Sequence, residues 1–342
     1  MSRSDSAEGQ WTSTDGRADA PAPAGGGSSE GNGGTRRDFL QNAATAAAGL
    51  ALAQTASPAS GAQPAANTLP TIRLGQHQIS RLIIGGNPIY GYSHFNRLLS
   101  RHQTDWHTPE RVVELLRRCE QVGINTWQNS YAERTLADLE RYRKAGGTMH
   151  WLCLGKPDWE QKPDQVADAA RRKPIGIAPH GAHAERLHRQ KRLGDLVALL
   201  ARIRKQGVLV GLSAHNPELI QVAEDRKWDV DYYMCCLYYL TRPRQEYQRI
   251  LGNDLPLGEI YLPTDPPRMF KVIQATKKPC LVYKVLAAGR RISTPAEIRT
   301  CFEGALANIK PTDALIVGMY QQFGDQVGEN ATMVRDICAK KR

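Results

Sequence analysis

The run HWLCLGKPDWEQKPDQVADAARRKPIGIAPHG, residues 150–181, holds the unit that decides the fold. It opens on His150 to Gly155, a short apolar segment that does not alternate, as expected of a strand buried on both faces. Lys156 stands at its exit. Pro163 then begins a helical stretch to Arg171, and Pro174 to Ala178 forms a second apolar strand with His180 at its exit. Strand, helix, strand in about 30 residues is a crossover unit, which makes the two strands parallel.

Outward from this unit the pattern repeats. Upstream lie a strand at Leu82-Ile83-Ile84, a helix at Thr108 to Gln121, a strand at Ile124 to Gln128 and a helix at Glu133 to Lys144. Thr108 is suited to cap the first of these helices, with Pro109 at its first position. Downstream come a helix at Leu193 to Gln206, a strand at Val208 to Leu212, a helix from Pro217 and a strand at Val230 to Leu237. A helix at Pro267 to Thr276, a strand at Cys280 to Val285, a helix from Thr294-Pro295, a strand at Ala314 to Val317 and a helix at Gly324 to Cys338 complete the series. Ahead of it all, Thr71 to Leu74 and Gln78 to Ser80, with Gly75 between them, read as a hairpin. Eight strand–helix units in about 270 residues suit a (β/α)8 TIM barrel with an N-terminal β-hairpin. A doubly wound sheet would carry a Gly-rich first turn, which GGNPIYG at 85–91 does not match.

A barrel works at the C-terminal ends of its strands. Those ends carry Asn87, Gln128-Asn129, Lys156, His180, Ser213-Ala214-His215-Asn216, Tyr238-Tyr239, Lys284 and Gly318-Met319. His183 and His188 read as a solvated loop and a helix start, not as metal ligands beside His180. Tyr238 to Arg244 reads equally well as a pocket wall or as rim packing.

The first 67 residues differ in kind. Gly, Ser, Ala, Pro and Thr dominate there, too polar a composition to offset ordering entropy. Within them Arg36-Arg37, Phe39-Leu40, an Ala-rich run and Ala51-Leu52-Ala53 stand in the order of a twin-arginine export signal, with its core at 35–53. The apolar run is too short to span a bilayer stably. This organisation predicts a leader over 1–67 and a barrel over 68–342. It also predicts the twin-arginine translocation machinery as a partner, a periplasmic or other extracytoplasmic destination, and no stable membrane span after processing. Seven cysteines, several inside apolar runs, fit a chain that folds with reduced thiols before export. The net charge of +11 is spread along the chain without a nucleic-acid-binding motif, so no nucleic-acid partner is expected.

Seven motifs in order resemble the aldo-keto reductase superfamily: IRLGQHQISRLIIGG (72–86), GINTWQNS (123–130), LCLGKP (152–157), GIAPHG (176–181), GLSAHN (211–216), LVYKVLAAGR (281–290) and VGMYQQFGDQVGEN (317–330). The resemblance implies hydride transfer between NADP or NAD and a carbonyl or sugar-like small molecule. It implies catalytic roles for Lys156 and His180. The family's aspartate position is occupied by Gln128, and its tyrosine position by Glu133, which leaves Tyr131 as the candidate acid. On the cofactor side it implies Ser213 at the nicotinamide amide, Tyr283 stacked on the ring, Leu286 and Gly289 in the loop that crosses the pyrophosphate, and Arg290 or Arg291 as a partner of phosphate. Glu329 and Asn330 fall near the adenine. The altered positions keep two other readings open: a binding protein on the same scaffold, and a lyase or isomerase using Lys156 and His180.

Overall fold

A computed structural model describes residues 68–340. The expected leader, with its twin-arginine motif, lies outside the described residues.

Eight parallel strands close into a barrel. In chain order they are β3 Leu82–Gly85, β4 Thr126–Ser130, β5 His150–Leu154, β6 Gly176–Ala178, β7 Leu209–Ala214, β8 Tyr232–Cys236, β9 Cys280–Tyr283 and β10 Ala314–Gly318, and β10 pairs back onto β3. The register is continuous across the deciding unit. Trp127 of β4 stands opposite Trp151 of β5, and Leu152 of β5 opposite Gly176 of β6. The expected barrel is therefore the observed one.

The hairpin, β1 Thr71–Leu74 and β2 His77–Ser80, pairs antiparallel and turns at Gly75, whose φ of 58° favours glycine. Ile72, Leu74 and Ile79 pack with the barrel interior of Ile83, Leu152, Ala178, Met234, Leu281 and Ile316. They plug the N-terminal end and leave the other end for chemistry. Inside the barrel Tyr232 is wholly buried, and a Cβ on Gly211 or Gly176 would collide with its ring. Two glycines on neighbouring strands thus make room for one large side chain.

The helices are α1 Arg97–Trp106, α2 Pro109–Gln121, α3 Glu133–Lys144, α4 Pro163–Arg171, α5 Gly181–Arg189, α6 Leu193–Arg204, α7 Pro217–Asp225, α8 Arg244–Leu251, α9 Asp265–Ala275, α10 Pro295–Asn308 and α11 Gln326–Ala339. Thr108 caps α2 as expected, accepting from the Arg111 amide, with Pro109 in the first turn. Each helix buries one stripe, such as Val112, Leu115, Leu116 and Cys119 of α2. Three helices, α1, α5 and α8, fall where the sequence pattern was silent. His183 corrects an expectation: it is not solvated but 1 % exposed on α5, with Nε2 2.5 Å from Glu160 Oε2. The segment after β8 also resolves to packing. Tyr238, Tyr239 and Arg242 are all buried. All seven cysteines are free and buried, and burial alone pushes the Cys153 thiol far above its ordinary range.

Candidate active site

The strand exits open into one cavity of about 1030 Å3. Gln128, Lys156, His180, Ser213 and Tyr283 all line it, each delivered by a different strand or the turn after it. Tyr131, Leu286, Gly289, Glu329 and Asn330 line it too. Of the catalytic and cofactor residues that the resemblance implied, only Arg290 and its alternative Arg291 stand outside the lining; of the other strand-exit residues, Asn129, Ala214, Asn216, Tyr238, Tyr239 and Met319 do not line it.

The Lys156 ammonium has no hydrogen bond or ion pair among the described residues; it lies 5.6 Å from the centre of the Tyr131 ring. His180 is more enclosed, and its buried Nδ1 lacks a hydrogen-bond partner. Burial, followed by the neighbouring His215 and His183, lowers its pKa to about 4. At neutral pH it is an uncharged ring in the cavity wall, which suits it to hold a polar group of a ligand.

Tyr131 is placed differently from the acid role expected of it. Its hydroxyl donates to Asp168 Oδ2 on α4 at 2.7 Å, and Asp168 is not a lining residue. Burial and then this carboxylate push the phenol up to about 12. The cause is the short strand exit, which turns directly into Ala132 and α3 and brings the ring against Trp159, with centroids 5.4 Å apart.

Arg290 also departs from its expected place. Its guanidinium carbon lies 4.1 Å from the Tyr261 ring centre and 4.3 Å from that of Phe95. It donates to the backbone carbonyl of His94 at 3.0 Å. Held by these contacts, it ties the segment after β3 to the segment after β9 and does not face the cavity.

Two networks were missed. The first joins the fourth, fifth and sixth exits through Glu185 of α5, which is 1 % exposed. Glu185 accepts from the amides of His215 and Asn216 and from the Thr241 hydroxyl. Burial works to raise its pKa, but these donors and the His215 ring outweigh it and lower it overall. His215 Nδ1 lies 3.5 Å from Glu185, too poorly aligned for a hydrogen bond, and its Nε2 reaches the Tyr283 hydroxyl at 3.4 Å. That hydroxyl also meets Ser213 Oγ at 3.3 Å. Gly181 fits closely here, because a Cβ would come to 3.1 Å from both His215 and Ser213 and crowd them.

The second network runs Lys284, His94, Glu259. Lys284 Nζ lies 2.7 Å from His94 Nε2, and His94 Nδ1 lies 2.8 Å from Glu259 Oε1. His215 and Lys284 stood among the strand-exit polar residues, so a signal for them existed. Glu185, His94 and Glu259 carried none: each lies in a segment the pattern did not resolve.

At the far side, Asp325 caps α11 by accepting from the Gly328 amide and pairs with Arg118 at 2.5 Å. This anchors Glu329 and the buried Asn330 at the cavity wall. His102 of α1 stacks on Phe323 beside them, with centroids 6.3 Å apart.

Stability should depend on pH through the buried histidines. Burial lowers both His107 and His180 from 6.5 to about 4. Between those values the unfolded chain binds more protons, so stability is complete above pH 6.5 and is lost as pH falls towards 4. Asp138 and Asp313, raised above the usual carboxylate range by burial, oppose the loss at its lower end. Urea unfolding is expected to show a decrease on the order of 2 kcal/mol between pH 7 and pH 5. A flat profile would mean these histidines are solvated.

No family model and no curated protein sequence matches the chain. Among solved structures similar to it is a truncated 3-deoxy-D-arabino-heptulosonate 7-phosphate synthase from Thermotoga maritima. That likeness has 14 % identity and a TM-score of 0.47, over 80 % of this chain and 91 % of that one. Another is the glycerol dehydrogenase AKR11B4 from Gluconobacter oxydans, with 14 % identity and a TM-score of 0.42, over 81 % and 96 %. Neither likeness carries the assignment, and the fold is read from the closed barrel itself. The structure defines the class as a (β/α)8 barrel with a largely apolar cavity, set with a few polar side chains, at the C-terminal ends of its strands.

Proposed function

We propose that this barrel is an oxidoreductase of aldo-keto reductase type, moving hydride between a nicotinamide nucleotide and a small carbonyl compound. One observation carries the reading. A single cavity connects Lys156 and His180 with Ser213 and Tyr283, and continues past Leu286 and Gly289 to Glu329 and Asn330. Its volume lies at the upper end of the range of small-molecule sites, as an elongated dinucleotide plus a substrate would need.

The residues present fit such a cofactor in kind. Ser213 offers a hydroxyl to a carboxamide, and Tyr283 an aromatic face to a ring. The His180 ring in the cavity wall marks an adjacent place for a substrate oxygen. When bound, the nucleotide supplies or takes up the hydride. The chain's part is to hold the carbonyl in register, with His180 orienting its oxygen and the Lys156 ammonium stabilising the charge that develops there and donating the proton. Gln128, where the family has an aspartate, offers an amide and no charge.

We favour NAD over NADP. Among the described residues that line the cavity, the only lysines or arginines are Lys156 and Lys284, both at strand exits, whereas the far wall presents Glu329. A 2′-phosphate would find no basic partner there. The test is titration of the purified protein with NADH and NADPH, followed by nicotinamide fluorescence and by turnover of a panel of carbonyl compounds. Tighter binding of NADH is expected, and failure of both nucleotides to bind at high micromolar concentration would sink the reading. Export by the twin-arginine machinery is part of the same proposal, motivated by Arg36-Arg37 and the run after them. Replacing both arginines by lysine should stop export, and continued export would refute it.

A further inference from the structure

Lys284 is the half-buried cavity group that the hydride-transfer scheme leaves without a task. Successive residues of a strand point to opposite faces, yet Tyr283 and Lys284 both line the cavity. The break in alternation has a backbone cause: Lys284 follows the last residue of β9 with φ at 62°, in the left-handed region. Its partner His94 is also left-handed, with φ at 59°. Lys173, Lys191 and Lys227 share that conformation, but each stands two residues past a helix, where such a turn is ordinary, and Ala287 and Ala288 share it within the tight turn Ala287–Gly289. Lys284 and His94 have no helix end to explain them. Two strained positions held face to face are the pattern of a functional site.

The chemistry of the pair is specific. With Nδ1–H donating to Glu259, His94 presents a bare Nε2 to the Lys284 nitrogen at 2.7 Å. Asn87 Nδ2 meets the same ring nitrogen at 3.0 Å, and Tyr261 donates to Glu259 at 2.8 Å. Burial works to raise Glu259, but His94, Tyr261 and Lys284 outweigh it and hold it at about 2. The Lys284 amine is lowered from its ordinary range by burial, a direction that Cys236 and Glu259 oppose and Arg290 reinforces. An enclosed amine beside a proton acceptor is an activated nucleophile.

We propose that Lys284 forms an imine with a carbonyl ligand, a short hydroxylated ketone or a 2-keto acid, with His94 as its proton shuttle and Glu259 fixing the shuttle's tautomer. His94 takes a proton from the Lys284 ammonium. The free amine adds to the carbonyl carbon as the C=O π bond breaks, and a proton moves from nitrogen to oxygen. His94 then returns its proton to the departing hydroxyl, so that water leaves and the protonated C=N bond remains. No oxidant, reductant or nucleotide is consumed.

The test is reductive trapping on the full chain, with dihydroxyacetone and pyruvate as separate probes, cyanoborohydride present and nicotinamide nucleotide absent. Peptide mapping by mass spectrometry is expected to place the adduct on Lys284 at about tenfold or more the occupancy of any other lysine. His94→Gln should slow its formation by about tenfold, and Lys284→Arg should remove it. An adduct on Lys156, an even spread over the lysines, or no adduct with either probe overturns the proposal, and the map of the unmodified sequence decides this without any variant. Because no nucleotide is used, the result is independent of whether NADH binds.

Discussion

Replacing Lys156 by methionine is expected to lower kcat/KM for carbonyl reduction by about 10²- to 10⁴-fold, the usual contribution of a positioned proton donor. The affinity for NADH should stay within about threefold, because Lys156 is assigned to the substrate oxygen and not to the nucleotide. Methionine keeps most of the stem and removes the charge. Little stability should be lost, since the ammonium has no hydrogen bond or ion pair among the described residues to lose. Tyr131→Phe is the informative contrast. Its hydroxyl serves Asp168, which keeps Arg171 as a partner at 3.0 Å. That variant should lose about 1 kcal/mol of stability and less than about threefold in kcat/KM. If Tyr131→Phe proved as damaging as Lys156→Met, Tyr131 would be the acid after all, and its bond to Asp168 would have to give way during turnover.

Asp265→Ala is expected to lower unfolding free energy by about 3–5 kcal/mol, as measured by urea titration at pH 7. The side chains of Arg242 and Asp265 are 1 % and 3 % exposed, and Arg242 donates to both Asp265 oxygens. The guanidinium also lies over Tyr239 and Tyr247, 4.8 and 5.1 Å from the ring centres, and donates to Glu246 at 2.9 Å. Asp265 further accepts from the Tyr239 amide at 3.1 Å. Removing the carboxylate leaves a buried cation half-paired and a buried amide unsatisfied. Replacing both partners by apolar residues should cost much less, because the damage comes from the stranded charge. A loss below about 1 kcal/mol for the single variant would mean that water reaches the pair.

The barrel was legible because each of its strands is a short apolar run and most of its helices carry their own punctuation. Thr108-Pro109, Thr294-Pro295 and the Gly-ended helices stated their limits locally. Helices α1, α5 and α8 were not legible, since each is polar on most of its surface and follows a strand exit without a strong stop. The site was legible where residues stand directly on strand exits: Gln128, Lys156, His180, Ser213 and Tyr283 meet in one cavity. It failed where side-chain direction decides the outcome. Tyr131 and Arg290 were placed near the cavity by position in the chain, but a carboxylate on α4 and two aromatic rings draw their polar ends away. Glu185 and Glu259 act through partners distant in sequence, and no spacing rule links Glu259 with His94, 165 residues away.

In the proposed function one ligand lies along the cavity from Tyr283 to Asn330. Hydrogen–deuterium exchange of the whole chain with and without saturating NADH tests it most directly. Slower exchange is expected in three separate stretches, 211–216, 283–292 and 320–330, with the hairpin at 71–80 unchanged. Protection confined to one of those stretches, or appearing at the hairpin end of the barrel, would contradict it.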